Sequence, residues 1–302
     1  MTDQENWQEL NHEEELSETK SLLAYMMEQD RIHYEKYNVP ADRITFKYPP
    51  EFYNWFKEND MEFGLPFINN DIILDTSTLD IRCEYTTIST IVTLNYAHAY
   101  LLLLDHNNTI GVEWFRNRLG DVYNINEHNY PLVSANTINK INRDWYFSCF
   151  HHWEYTLRAL VNYFQDEGHK IPKYVKKNSE LKKTNTYLTS NDSLGSIWMS
   201  FVKIYLQHEN QESDILFKLN TTIRNCIHNF MVYRPDKNQE RNPAISYKSK
   251  YFSFQENQNV SFLSPDVFRF LIKEIHAFMI NLFCCEKIVE QRYISTYISK
   301  FQ

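Results

Sequence analysis

The chain has 302 residues, a net charge of −8 and 43% hydrophobic and 16% aromatic content, which excludes a wholly disordered chain and supplies a sizeable core. The acidic balance excludes a generally basic nucleic-acid surface while leaving room for a local basic patch. Five scattered glycines exclude the phosphate loops GxGxxG and GxxxxGK[ST], and five cysteines without a CxxC pair argue against a disulfide framework or a zinc ribbon.

Residues 1–20 form an acidic tail that lacks the basic start and apolar core of a signal peptide. From Ser21 to about Tyr37, the residues Leu22, Leu23, Met26, Met27 and Ile32 predict an amphipathic helix that Pro40 ends. Pro49 and Pro50 precede a short aromatic helix around Phe52, Trp55 and Phe56, and Ile72, Ile73 and Leu74 suit a short strand. From about Glu84, Ile88, Ile91, Val92, Ala99, Leu102 and Leu103 recur at helical spacing. Residues 101–104 are the densest apolar run, far short of the ~18 residues of a membrane span. Residues 107–140, rich in Asn and carrying Pro131, read as a connector.

A strong helix is expected over 142–165, stopped by Gly168 and Pro172. Residues 167–193 read as a polar loop carrying Lys170, Lys173, Lys176, Lys177, Lys182 and Lys183. A helix over 194–208 follows. The next opens with Ser213 as N-cap and carries the stripe Leu216, Leu219, Ile223, Ile227 and Phe230, until Pro235. Residues 235–263 read as a long polar loop. The last helix has Ser264 at its N-cap, Pro265 at its first position and Asp266 behind it, and is expected to run to about Ile294. The chain is therefore expected to be mostly α, with an N-terminal helical region over 21–140 and a helical bundle over 141–302.

Chemistry concentrates in Thr222-Ile-Arg-Asn-Cys-Ile-His-Asn-Phe230. Arg224 and His228 are four apart, so they point the same way on a helix. Each follows a stripe residue, and one residue is about 100° of helix, so the pair sits at the shoulder of the buried face. A guanidinium can hold a phosphate oxygen and stabilise a phosphorane, while an imidazole moves protons near neutral pH. RNA brings its own nucleophile, the 2′-hydroxyl, so no metal or cofactor is called for. The alternative is structural: Arg224 pairs with a carboxylate and His228 makes a packing contact.

Arg224-Asn225-Cys226-Ile227-His228, on the penultimate helix before a long terminal one, resembles the signature of the HEPN superfamily. Three residues separate Arg224 from His228, one fewer than the usual minimum of that signature. The resemblance spans roughly 141–302. It implies a HEPN-like bundle, a metal-independent endoribonuclease and a composite site between the Arg/His helices of a homodimer. It further implies a role as a toxin or phage-defence effector, with RNA (tRNA among the candidates) as substrate and a neutralising antitoxin as partner, while the cysteine usage fits a reducing cytoplasm. Members that bind RNA or protein without cutting keep a non-catalytic module as the alternative.

Around this pair, Asn225, Asn229, Lys176, Lys177 and Arg234 are the candidate substrate-binding residues, with Tyr233, Tyr247 and Tyr251 as bases' stacking partners. His151 and His152 diverge on their helix and so do not suit one metal. Glu154 is a candidate to orient His228 if their helices are neighbours. Cys226 lacks the arrangement of His and base that a cysteine nucleophile needs, and Cys284 and Cys285 read as core packing in the last helix.

Overall fold

The computed structural model describes residues 17–19, 21–26, 28, 81–109, 130–177, 180–235, 239–291 and 294. The expectations around Pro40, Phe52–Phe56 and Ile72–Leu74 lie outside those residues. Among the described residues helices dominate, and the strands form two antiparallel hairpins. No described helix is long and apolar enough to cross a membrane.

Residues 17–19, 21–26 and 28 are helical, and Leu22, Leu23 and Met26 are buried as the amphipathic pattern predicts. Helix α1 (Ile81–Thr109) begins three residues before the expected start. Its first turn is tied to the far end of the chain. The Ile81 N–H donates to the Ile294 carbonyl at 2.9 Å, and the buried Arg82 guanidinium donates to the carbonyls of Ile288 and Gln291 at 3.1 and 3.2 Å.

Helix α2 (Tyr130–Asp166) absorbs a third of what reads as a connector. Pro131 lies in its first turn, where a missing N–H costs nothing, so it opens the helix instead of breaking it. Position 140 accordingly falls inside a helix, and residues on both sides share one core: Leu22, Tyr85 and Tyr96 pack with Trp145, Trp153 and Phe268. Trp145, Phe150, Trp153, Leu157, Leu160, Val161 and Phe164 of α2 are all buried. Gly168, at φ +86°, turns the chain out of the helix in the left-handed region.

The expected polar loop over 167–193 is a hairpin instead: β1 (Pro172–Lys177) pairs antiparallel with β2 (Glu180–Tyr187). Its strands are mostly exposed and leave no apolar alternation in the sequence to read. A Lys173–Asp192 ion pair of 2.5 Å and the Tyr174 N–H donating to Ser200 Oγ at 2.9 Å dock it. The helix expected over 194–208 is α3 (Leu194–Ile197) followed by a π-helical stretch (Trp198–Tyr205) that buries Trp198, Ser200, Phe201 and Val202.

Helix α4 (Gln211–His228) is capped by Asn210, whose side chain accepts from the Glu212 N–H at 2.9 Å; Ser213 is buried in the first turn and is not the cap. The expected loop over 235–263 contains a second hairpin, β3 (Ala244–Tyr247) with β4 (Lys250–Ser253). Ile245, Tyr247 and Phe252 are its inward residues. Helix α5 (Pro265–Phe283) starts as the sequence predicts, with Ser264 accepting from the Val267 N–H. It stops at Phe283, well before Ile294. Cys284 is its C-cap, and the short α6 (Glu286–Val289) follows.

Where α1, α2 and α5 meet, Tyr85 lies between two imidazoles, stacked on His152 at 5.2 Å and on His276 at 5.7 Å. Burial pulls His152 and His276 down to about 4 and pushes Glu84 up to about 7. Unfolding frees both imidazoles to take protons below about 6.5, so they cost stability as pH falls from there towards 4. Glu84 works the other way: its contribution is present at low pH and is lost as pH rises through about 7. Below pH 6.5 the two histidines outweigh the one carboxyl. Urea midpoints of the parent should therefore fall on acidification, and His276→Phe should remove about 1.4 kcal/mol per pH unit of that slope. An unchanged slope would contradict this reading.

Candidate active site

Leu216, Leu219, Asn220, Ile223 and Cys226 are the buried residues in the body of α4. The buried stripe is thus rotated slightly from the expected one: Cys226 is fully covered, Ile227 is half-buried, and Phe230 is 88% exposed. Phe230 leaves the stripe because the helix ends at His228 and the chain then takes two left-handed residues, Phe230 at φ 56° and Met231 at φ 67°. Asn220, Arg224 and His228 form one four-residue row that climbs from the core to the surface. Asn220 is buried, Arg224 half-buried and His228 exposed, so the pair lies on the shoulder where the sequence puts it.

Helix α2 faces this row. The Tyr146 hydroxyl donates to Asn220 Oδ1 at 2.9 Å, and Asn220 Nδ2 donates to the Leu216 carbonyl at 2.9 Å. This buried link fixes the register of α2 against α4 at the foot of the row. One turn higher, the Arg224 guanidinium lies over the Phe150 ring, 5.9 Å from its centroid. Its Nη1 donates to Asn225 Oδ1 at 3.3 Å, and its Nε is buried without a hydrogen-bond partner. Among the described residues no carboxylate pairs with Arg224, so the ion pair of the structural alternative is not what holds it.

At the top of the row, His228 packs against the edge of Phe147, with ring centroids 4.7 Å apart and planes at 81°. His151 packs against the same ring at 4.1 Å and 70°. His228 is drawn below its usual pKa by desolvation at that contact, then by the Arg224 charge and by His151. His151 is lowered by desolvation, with Glu154 opposing and Arg224 adding to the shift. The Arg224 charge thus bears on both imidazoles and favours their neutral forms.

The remaining candidates divide. Asn225 is half-buried and bonded to Arg224, where it can orient the guanidinium. Asn229 is the C-cap, its N–H donating to the carbonyls of Asn225 and Cys226. Arg234 is exposed, past the left-handed turn. Lys176 and Lys177 lie on β1, opposite Leu181 and Glu180, in a hairpin packed on α3 and the π-helical stretch. They are not brought to the row on α4 by any described contact.

Two tyrosines are corrected. Tyr233 and Tyr247 are buried, with hydroxyls donating to the Glu240 carbonyl at 2.7 Å and to Glu274 Oε2 at 2.8 Å, so neither presents a face to a base. Tyr251 is 67% exposed. Glu154 is corrected too: its Oε1 accepts from Arg158 at 2.6 Å, and it is His151, not His228, that its charge reaches. His151 itself was legible only as a poor metal ligand. Its spacing of four from Phe147 repeats that of Arg224 and His228, but the sequence does not show that these two helix faces oppose each other. Among the described residues, no group of three His, Cys, Asp or Glu could hold a metal ion.

The chain matches no family model, no curated protein and no solved structure.

Proposed function

We propose that this protein is a metal-independent endoribonuclease of the HEPN kind, cutting RNA by attack of a 2′-hydroxyl on the adjacent phosphate. The observation that carries the reading is the state of Arg224: a half-buried guanidinium held by Phe150 and Asn225, with no carboxylate to neutralise it and no partner for its buried Nε among the described residues. A phosphate is the ligand such a planar fork suits. Beside it, His228 is exposed and held towards its neutral form, as a general base requires.

In this scheme, Arg224 stabilises the phosphorane, His228 takes the 2′-hydroxyl proton, and Asn225 keeps Arg224 in register. Asn229 and Arg234 lie further along the same end of α4 and contact the strand on either side of the cut. The site opens at the surface, so a second copy can lay its own α4 across it. A homodimer, a tRNA target, a cytoplasmic toxin or phage-defence role and a neutralising antitoxin extend the same resemblance.

The test is incubation of the purified protein with tRNA and total RNA in EDTA. Discrete fragments are expected. RNA that stays intact yet is bound equally by the parent, Arg224→Ala and His228→Ala would replace this reading with that of a non-catalytic binding module.

A further inference from the structure

We propose that His151 is the general acid of this site, so that one chain supplies both proton-transferring groups for RNA cleavage: His228 from α4 and His151 from α2. The inference rests on the ribonuclease reading. Its own ground is the Phe147 ring, against which both imidazoles pack, at 4.1 Å for His151 and 4.7 Å for His228. These contacts keep the imidazole centres within about 9 Å of each other, a gap that a phosphate with one hydrogen bond of about 3 Å at either end can fill. Among the described residues, neither imidazole is engaged in a hydrogen bond.

An in-line displacement needs a base and an acid at opposite ends of one axis. The O2′–P bond forms as His228 removes the 2′-hydroxyl proton. The P–O5′ bond breaks as His151 delivers a proton to the leaving oxygen. The products are a 2′,3′-cyclic phosphate and a 5′-hydroxyl, and solvent returns the two imidazoles to their starting states.

The roles are assigned by the charges around each ring. His151 faces Glu154 on its own helix and Arg224 and His228 on α4, and the Glu154 carboxylate favours its protonated form. His228 faces Arg224 and His151, both of which favour its neutral form. Desolvation is the main influence on each ring and lowers both; the Glu154 carboxylate opposes it at His151, which is why the acid role is given to that ring.

The experiment compares two substrates with the parent, His151→Ala, His151→Gln and His228→Ala. One is a short RNA; the other is the same RNA with sulfur in place of the scissile 5′-oxygen, whose thiolate leaves without a proton. On normal RNA both His151 variants should lose about 100-fold or more in kcat, with KM little changed. On the sulfur substrate they should return to within a few-fold of the parent, while His228→Ala stays impaired on both. His151 is exposed, so the urea midpoint of both variants should match the parent's. Full activity of the His151 variants on normal RNA would overturn the acid role and leave the ribonuclease reading standing. Equal losses on both substrates would also overturn it, making His151 a positioning residue. A parent that cuts neither substrate would overturn both readings.

Discussion

His228→Ala should lower RNA cleavage by about 100- to 10,000-fold, the usual range for losing a positioned proton-transferring group. The imidazole is exposed at the end of α4 and packs against the Phe147 ring. Its removal should therefore change the unfolding free energy by no more than about 0.5 kcal/mol. Arg224→Ala should cost about as much in rate, since a donor aimed at developing negative charge contributes about 100- to 1,000-fold. Arg224→Lys should recover little of it: an ammonium keeps the charge but loses the planar fork over Phe150 and its bond to Asn225. Single-turnover rates beside urea melts check these expectations. Loss of activity only in proportion to loss of folded protein would contradict them.

Trp153→Ala should have the largest effect on stability, about 3–5 kcal/mol. Trp153 is 1% exposed and sits at the crossing of several elements. Its ring meets Phe150 at 5.2 Å on its own helix, Trp198 and Phe278 at 6.2 Å, and Phe217 at 6.1 Å. Truncation leaves a cavity that four elements line, and none of them can close it without leaving its other contacts. Trp153→Phe should cost much less, because the indole Nε1 has no hydrogen-bond partner to lose. The two variants separate folding from chemistry. Molecules of Trp153→Ala that remain folded should cut RNA at close to the parent's rate, since among the described contacts Trp153 meets Phe150 and Phe217 but neither Arg224 nor His228.

How much of this could be read from the chain follows from where apolar periodicity is strong. The buried face of α2 from Trp145 to Phe164 and the start of α5 at Ser264 and Pro265 are written in side chains and read correctly. Both hairpins were read as loops. β1 and β2 are held by backbone pairing across exposed Lys and Thr residues. β3 and β4 are four residues each, too short for alternation to stand out from a Tyr-rich sequence. Pro131 misled because a proline opening a helix and one ending it look alike until the flanking turns are known.

The site divides in the same way. The shoulder position of Arg224 and His228 follows from helical geometry alone. What faces them does not. That Tyr146 locks α2 to Asn220, that Phe150 and Phe147 sit under Arg224 and His228, and that His151 stands across the same ring are consequences of tertiary packing. For the same reason the sequence does not show that Glu154 is held by Arg158, one turn away on its own helix, and not by His228.

The central claim is that Arg224 and His228 drive attack of the RNA's own 2′-hydroxyl. The most direct measurement is the chemistry of the cut ends, taken by mass spectrometry on products made in EDTA. The claim predicts a 2′,3′-cyclic phosphate on one fragment and a 5′-hydroxyl on the other, both absent with Arg224→Ala and His228→Ala. Fragments ending in a 3′-hydroxyl and a 5′-phosphate would show that water, not the 2′-hydroxyl, is the nucleophile, and would contradict it.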